Sequence, residues 1–319
     1  MSAERTVIFL VGPTAVGKSA VAFELVQSLG TELISADSRQ VYRGMDIGTA
    51  KPTPAERARV THHLLDVVEP DQPFSAGQFR VLASAVIEKL HQQGRIPIVI
   101  GGTGLYVKLL AYGVWQGPPS ATGADWDLRR RLRREEEIQG AGYLHHRLRE
   151  IDPESAARIK PRDLSKIIRA IEVFEKTGRP LSAFHREHRF QERPYRAVMI
   201  GLRRSRPDLY RRIEERVDRM MKEGLVEEVR GLLSKGYSPD LSSMQGLGYR
   251  QIIGYLKKRY DLTEAVRLLK RDTKRYAKRQ MTWFNRDPSI QWIDLQEADE
   301  TKEAWVKVDS VIRKETGNG

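Results

Sequence analysis

One stretch constrains this chain more than any other: Val7-Ile-Phe-Leu-Val-Gly12-Pro-Thr-Ala-Val-Gly17-Lys18-Ser19. Its apolar run does not alternate, so it reads as a strand buried on both faces, the signature of a parallel sheet. A loop bounded by two glycines follows, and then apolar positions at helical spacing. Strand, loop and helix in that order fit the pattern G-x-x-x-x-G-K-[ST], in which Gly12, Pro13, Thr14, Ala15, Val16, Gly17, Lys18 and Ser19 form a diphosphate cradle. Curled backbone turns its N–H groups inward, the helix N-terminus adds positive potential, Lys18 neutralises phosphate oxygens, and Ser19 offers a hydroxyl to Mg²⁺. The pattern leaves open whose phosphates these are, those of a nucleotide or the diphosphate of another substrate.

Further β-rich runs at 32–37, 62–68, 96–102, 197–202 and 290–295 alternate with helical patterns. They predict an α/β fold: a P-loop nucleoside-triphosphate-hydrolase-like parallel sheet flanked by helices. Between Gly117 and Arg196 the pattern changes to a turn-rich break, "GPPSATG", and then to Arg- and Glu-rich helices. Residues 119–196 therefore read as an all-helical insertion domain, with 1–118 and 197–319 forming the catalytic core and its C-terminal helices. Residues 1–118 carry 11 Lys+Arg against 10 Asp+Glu, whereas the rest of the chain carries 44 against 32. A basic excess so localised favours a polyanionic partner. The run Val7–Val11 is too short to cross a bilayer and no export signal precedes it, so the expected location is cytoplasmic and away from membranes. Cysteine is absent, which excludes disulfides and thiolate chemistry.

An NTPase with such a loop normally carries an acid at the end of a neighbouring strand. The run 96–102 ends instead in Gly-Gly-Thr, and no base-reading element for ATP or GTP is visible. Asp37, closing "ELISAD", is the best-placed carboxylate; Asp66 within 62–68 is a weaker candidate. Asp37 opens the polar segment "DSRQVYRGMDIGTAKP" at the carboxyl end of a strand, where open α/β sheets bind ligands. In "RDTKRYAKRQMTW", Arg271, Lys274, Arg275, Lys278 and Arg279 share one side of a helix and can neutralise the phosphates of a polyanionic partner, while Tyr276 and Trp283 are assigned to packing. His145 and His146 are adjacent, point different ways and read as surface residues rather than a metal pair.

"GPTAVGKS", "DSRQVYRGMDIGTAKP", "GGTGLY", "RAIEVFEKTGRPLS", "GLGYRQ" and "YAKRQMTWFNRD" occur in that order over nearly the whole chain. Together they resemble the bacterial tRNA dimethylallyltransferase (tRNA isopentenyltransferase) family, with Ser in place of Thr at 19 a tolerated variation. The resemblance implies transfer of the dimethylallyl group of dimethylallyl diphosphate to N6 of adenosine 37 in tRNAs that read codons beginning with U. It assigns residues 12–19 to the leaving diphosphate, Mg²⁺ to Ser19, and acceptance of the amine proton to Asp37. Thr103 would help hold the target nucleotide, and Ser38, Arg39 and Gln40 would touch RNA. Arg216 would bind diphosphate, with Arg212 its rival; Arg129, Ser165, Lys166, Arg169, Gly248, Arg250, Arg275 and Arg279 would meet the anticodon stem-loop. No obligate protein partner is evident.

Three other readings compete. A relative acting on free adenine nucleotides would not need the basic insertion, a P-loop phosphotransferase would form ADP from ATP, and an RNA-binding protein with a decayed loop would not keep Gly17, Lys18 and Ser19 intact.

Overall fold

All six residues of β1 (Thr6–Val11) are buried, because the strand lies inside a sheet covered on both faces. It pairs in parallel with β4 (Ile98–Gly101) on one side and β5 (Arg196–Arg204) on the other. β2 (Leu33–Ser35) and β3 (His62–His63) extend the sheet past β4, and β6 (Gln291–Leu295) extends it past β5. The structure, a computed structural model, describes residues 5–113, 124–188, 194–296 and 301–316. Among them the sheet has six parallel strands in the order β3-β2-β4-β1-β5-β6.

Ile8 and Leu10 of β1 share a cluster with Val21, Ala22 and Leu25 of α1 (Lys18–Leu29) and with Ala304, Val308 and Ile312 of the C-terminal helix. Strand alternation sends Val7, Phe9 and Val11 to the opposite face. The chain divides into two compact units, Met1–Ala111 with Tyr195–Gly319, and Tyr112–Pro194. The first also contains α2 (Pro54–Arg59), α3 (Ala76–Gln92) and most of α4 (Gly104–Tyr112). The second contains α5 (Trp126–Gln139), α6 (Tyr143–Ile151), α7 (Pro153–Arg158), α8 (Leu164–Thr177) and α9 (Leu181–His188). After β5 the first unit resumes with α10 (Arg206–Lys222), α11 (Leu225–Ser234), α12 (Tyr249–Leu256), α13 (Leu262–Phe284) and, after β6, α14 (Thr301–Thr316). The expected junction at 118/119 lies outside the described residues. No helix among them is long and apolar enough to cross a membrane.

The second unit closes around Leu132, Leu144, Leu148, Ile167 and Ile171, which fall at helical spacing on α5, α6 and α8. His145 belongs to this interior rather than the surface: it is 8% exposed, and its Nε2 lies 3.2 Å and 3.1 Å from the carbonyl oxygens of Ala156 and Ile159. His146 remains exposed beside Glu150. Glu172 is fully buried and accepts hydrogen bonds from Arg129 (3.0 and 2.7 Å), Arg169 (2.6 Å) and the Asp125 amide (2.6 Å). Burial pushes its carboxyl upward, but the two guanidinium groups outweigh that and hold it below the ordinary range. Its contribution to stability is therefore complete above the usual carboxylate range and is lost only as pH falls through the lowered value. Glu172→Ala strands two cations and is expected to destabilise this unit by about 3 kcal/mol. The check is the urea midpoint of the earliest unfolding transition, which should move down.

Candidate active site

The glycine-bounded loop connects β1 to α1 with a backbone that side chains resist. Gly12 has φ +143°, and a Cβ there would sit 2.6 Å from the Leu202 carbonyl oxygen. Gly17, at φ +112°, is the N-cap of α1. The loop is gripped from β5 and α10: Arg204 Nε donates to the Val16 carbonyl (3.0 Å), Arg212 Nε to the Ala15 carbonyl (3.0 Å), and Arg216 Nη1 to Thr14 Oγ1 (2.8 Å). Lys18 Nζ donates to the carbonyls of Gly12 (2.9 Å) and Pro13 (2.8 Å), so its ammonium lies inside the curl. Burial, reinforced by the positive charge of Arg216 and partly offset by Asp37, pulls Lys18 down to about 7.

That lowered value has a calorimetric consequence. A bound diphosphate ester would restore the proton, so its binding is expected to take up a proton on Lys18 at pH 8, with a smaller uptake as pH falls through about 7. Titrations in buffers of different ionisation enthalpy measure the uptake. Lys18→Arg, permanently charged, should remove that component.

The loop opens on a cleft of about 1520 Å³ whose walls include Thr14 to Ser19, Asp37, Arg216, Tyr276 and Gln280. Ser19 is exposed at its edge. Asp37 follows β2, and its Oδ1 accepts from the amides of Arg39 (2.8 Å) and Gln40 (3.4 Å), capping the turn that those residues form. Thr103, just after β4, accepts from the Ser38 amide at 3.0 Å and so joins the two strand ends. Gln40 is turned inward: it accepts from Ser35 Oγ (2.9 Å) and donates to the carbonyls of Thr49 (3.3 Å) and Ala50 (3.1 Å). Arg39 donates to the Ser242 carbonyl at 2.6 Å.

The segment following Asp37 is anchored by residues that sequence reasoning missed. Glu228 of α11 accepts from three successive amides, Asp46 (2.9 Å), Ile47 (2.7 Å) and Gly48 (3.1 Å), and from the Tyr249 hydroxyl (2.7 Å). Asp66 is structural. The β-run expected over 62–68 stops at His63, because Leu64 and Asp66 turn to φ +64° and +55°. The Asp66 carboxylate then accepts from Lys51 and Arg57, each at 2.6 Å.

α13 supplies a wall. Gln280, only 6% exposed, accepts from the Thr14 amide (2.9 Å) and donates to the Gly102 carbonyl (2.9 Å), tying the phosphate loop to the end of β4. A Cβ on Gly102 would meet its Nε2 at 2.1 Å, which explains a glycine there. The available signal was a glutamine on the buried stripe between Ala277 and Phe284. Tyr276 is not simply packing: it lines the cleft, and burial together with the nearby charge of Asp37 pushes its hydroxyl up to about 12. Trp283 lies against Gly104 yet is 44% exposed.

The remaining expected RNA residues fall on both units. Arg129 and Arg169 are engaged with Glu172, while Ser165 and Lys166 are exposed, the latter beside Asp163. Gly248, at φ +90°, precedes α12, whose Arg250 pairs with Asp272 at 2.9 Å. Arg275 is 64% exposed and 3.7 Å from Asp272, and the Arg279 guanidinium lies 5.7 Å from the Tyr276 ring centroid.

A parallel sheet with a glycine-bounded loop at the carboxyl end of its central strand, and a carboxylate lining the same cleft, defines an α/β protein of P-loop-like fold. The sequence profile described as IPP transferase matches residues 40–287, and the chain belongs to that family of transferases. It is 53% identical over 288 residues to the tRNA dimethylallyltransferase of Syntrophobacter fumaroxidans, covering 90% of this chain and 83% of that one. With its counterpart of the same description in Geobacter sulfurreducens it shares 50% over 287 residues, covering 90% and 91%. The crystal structure of the full-length tRNA isopentenylpyrophosphate transferase of Bacillus halodurans superposes with a TM-score of 0.73 at 39% identity, covering 99% and 98%. A eukaryotic dimethylallyltransferase acting on tRNA shares the fold at 24% identity, with a TM-score of 0.80 and 97% and 80% covered.

Proposed function

We propose that this chain transfers the dimethylallyl group of dimethylallyl diphosphate to the exocyclic N6 of adenosine 37 in tRNAs reading codons that begin with U. The observation that carries this reading is that Asp37 shares one cleft with the phosphate loop, close enough to offset the charges of Lys18 and Arg216. Its relatives described as tRNA dimethylallyltransferases, at about half identity over nine-tenths of the chain, support it.

The chemistry needs both ends of that cleft. An adenine amino group is a weak nucleophile, and Asp37 orients it and accepts its proton as the N6–C bond forms. The allylic C–O bond breaks with its electron pair going to the diphosphate, whose growing charge is met by the loop amides, Lys18 and Arg216. Among the described residues no cluster of three acids or histidines could hold a metal. A hard cation in this cleft would take the Ser19 hydroxyl as protein ligand and fill its other positions with diphosphate oxygens and water, a donor set that suits Mg²⁺. When bound, Mg²⁺ neutralises charge on the leaving diphosphate. Thr103, which holds the Ser38 amide next to Asp37, helps fix the segment that would meet a base taken out of its stack, and the basic excess after residue 118 serves the phosphates of the anticodon stem-loop. The setting is the cytoplasm.

The test is incubation with an unmodified anticodon stem-loop, Mg²⁺ and dimethylallyl diphosphate, followed by nucleoside mass spectrometry. The expected product is one dimethylallyl group on adenosine 37; an unmodified RNA would refute the reading.

A further inference from the structure

Trp283 is the largest apolar side chain exposed on α13, and its surroundings point one way. Its indole edge lies on Gly104, where a Cβ would meet Cδ1 and Nε1 at 2.1 Å, while 44% of the residue stays open to solvent. Gly104 follows Thr103, whose hydroxyl holds the Ser38 amide, and Ser38 follows Asp37. Trp283 is thus two short links from the carboxylate of the cleft. It also lies two turns along the same helical face from Tyr276, which lines the cleft, a separation of about 10 Å along the axis. Leu105, next to Gly104 in the chain, is 47% exposed.

Charge identifies the occupant. Arg279 and Arg286 lie four residues before and three after Trp283, both exposed, with exposed Lys278 on the next stripe. An exposed aromatic side chain on a helix end that carries exposed cations suits a nucleobase stacked with its phosphates nearby, not an apolar protein face or a lipid. We infer that Trp283 is the stacking platform for the nucleotide next in the chain to the one whose base enters the cleft. A base drawn into the cleft leaves its neighbour unstacked at the rim, and Trp283 replaces the lost stacking partner. This inference rests on the tRNA reading above and names a binding residue for it.

The test compares Trp283→Ala and Trp283→Phe with the parent chain. It uses stem-loops carrying 2-aminopurine at the nucleotide immediately before or after the target adenosine. The expected results are a roughly 10- to 100-fold rise in KM for the stem-loop in Trp283→Ala, an unchanged KM for dimethylallyl diphosphate, and recovery of most RNA affinity in Trp283→Phe. Quenching of 2-aminopurine at one of the two positions should be seen with the parent and the Phe variant and be lost with Ala. An RNA KM within twofold of the parent, quenching indifferent to Trp283, or a defect shared equally by the diphosphate KM would overturn the inference, the last because it marks a purely structural residue. The parent chain separates the two claims: if it modifies the stem-loop and Trp283→Ala does so equally well, the platform alone falls; if it modifies no RNA, the tRNA reading falls with it.

Discussion

Asp37→Asn is expected to slow dimethylallyl transfer by about 10²- to 10⁴-fold in single-turnover experiments while leaving the affinity for the stem-loop within about twofold. The variant is chosen for what it keeps. Asp37 Oδ1 accepts from the amides of Arg39 and Gln40, and an asparagine carbonyl can do the same, so the turn that carries Ser38 to Gln40 survives. What is lost is the negative charge that in the proposed reaction takes a proton from the amine, and that counterbalances Lys18 and Arg216 across the cleft. Asp37→Ala removes the cap as well, adding about 1 kcal/mol of local destabilisation to the chemical defect. Comparing the two therefore separates the carboxylate's chemistry from its role in the turn. Transfer by the Asn variant at the parent rate would remove Asp37 from the reaction.

The second large effect is expected at Arg216. It is half-buried, donates to Thr14 of the loop, and is pulled below its ordinary value by desolvation with Asp37 opposing. Such a group is held in place before charge develops, so Arg216→Ala should cost about 10²- to 10³-fold in kcat/KM for dimethylallyl diphosphate. Arg212 also reaches the loop, but through a carbonyl, that of Ala15, which makes it a brace on the backbone. Arg212→Ala should accordingly cost much less than Arg216→Ala. Steady-state kinetics with varied donor at saturating stem-loop decide between them; an equal or reversed order would exchange their roles.

The parts of this molecule that sequence made legible are those fixed by local physics. Unbroken apolar runs placed β1, β4 and β5, because a strand covered on both faces has no polar positions. The loop Gly12 to Ser19 was readable because its backbone conformation requires particular residues at particular places. Asp37 was readable from its position after a strand. What escaped depends on contacts distant in sequence. Gln280 matters through the Thr14 amide, 266 residues away, and Glu228 through amides about 180 residues away. Arg204 grips the loop from the end of β5, and nothing local in that strand announces it. The run 62–68 misled because its β-branched and apolar composition suits a strand, whereas Asp66 is pulled into a turn by Lys51 and Arg57. His145 was misplaced for a similar reason: helical adjacency to His146 says that the two diverge, not which of them faces Ala156 and Ile159.

The central claim is that the loop from Gly12 to Ser19 holds the diphosphate of a prenyl donor and not the phosphates of a nucleotide being cleaved. Phosphorus NMR of a reaction containing the chain, Mg²⁺, an unmodified anticodon stem-loop, dimethylallyl diphosphate and ATP tests it in a single tube. Release of inorganic diphosphate from the prenyl donor, one for each dimethylallyl group gained by the RNA, with the ATP resonances unchanged, is the expected result. Growth of ADP and inorganic phosphate signals at a catalytic rate, with dimethylallyl diphosphate left intact, would contradict it.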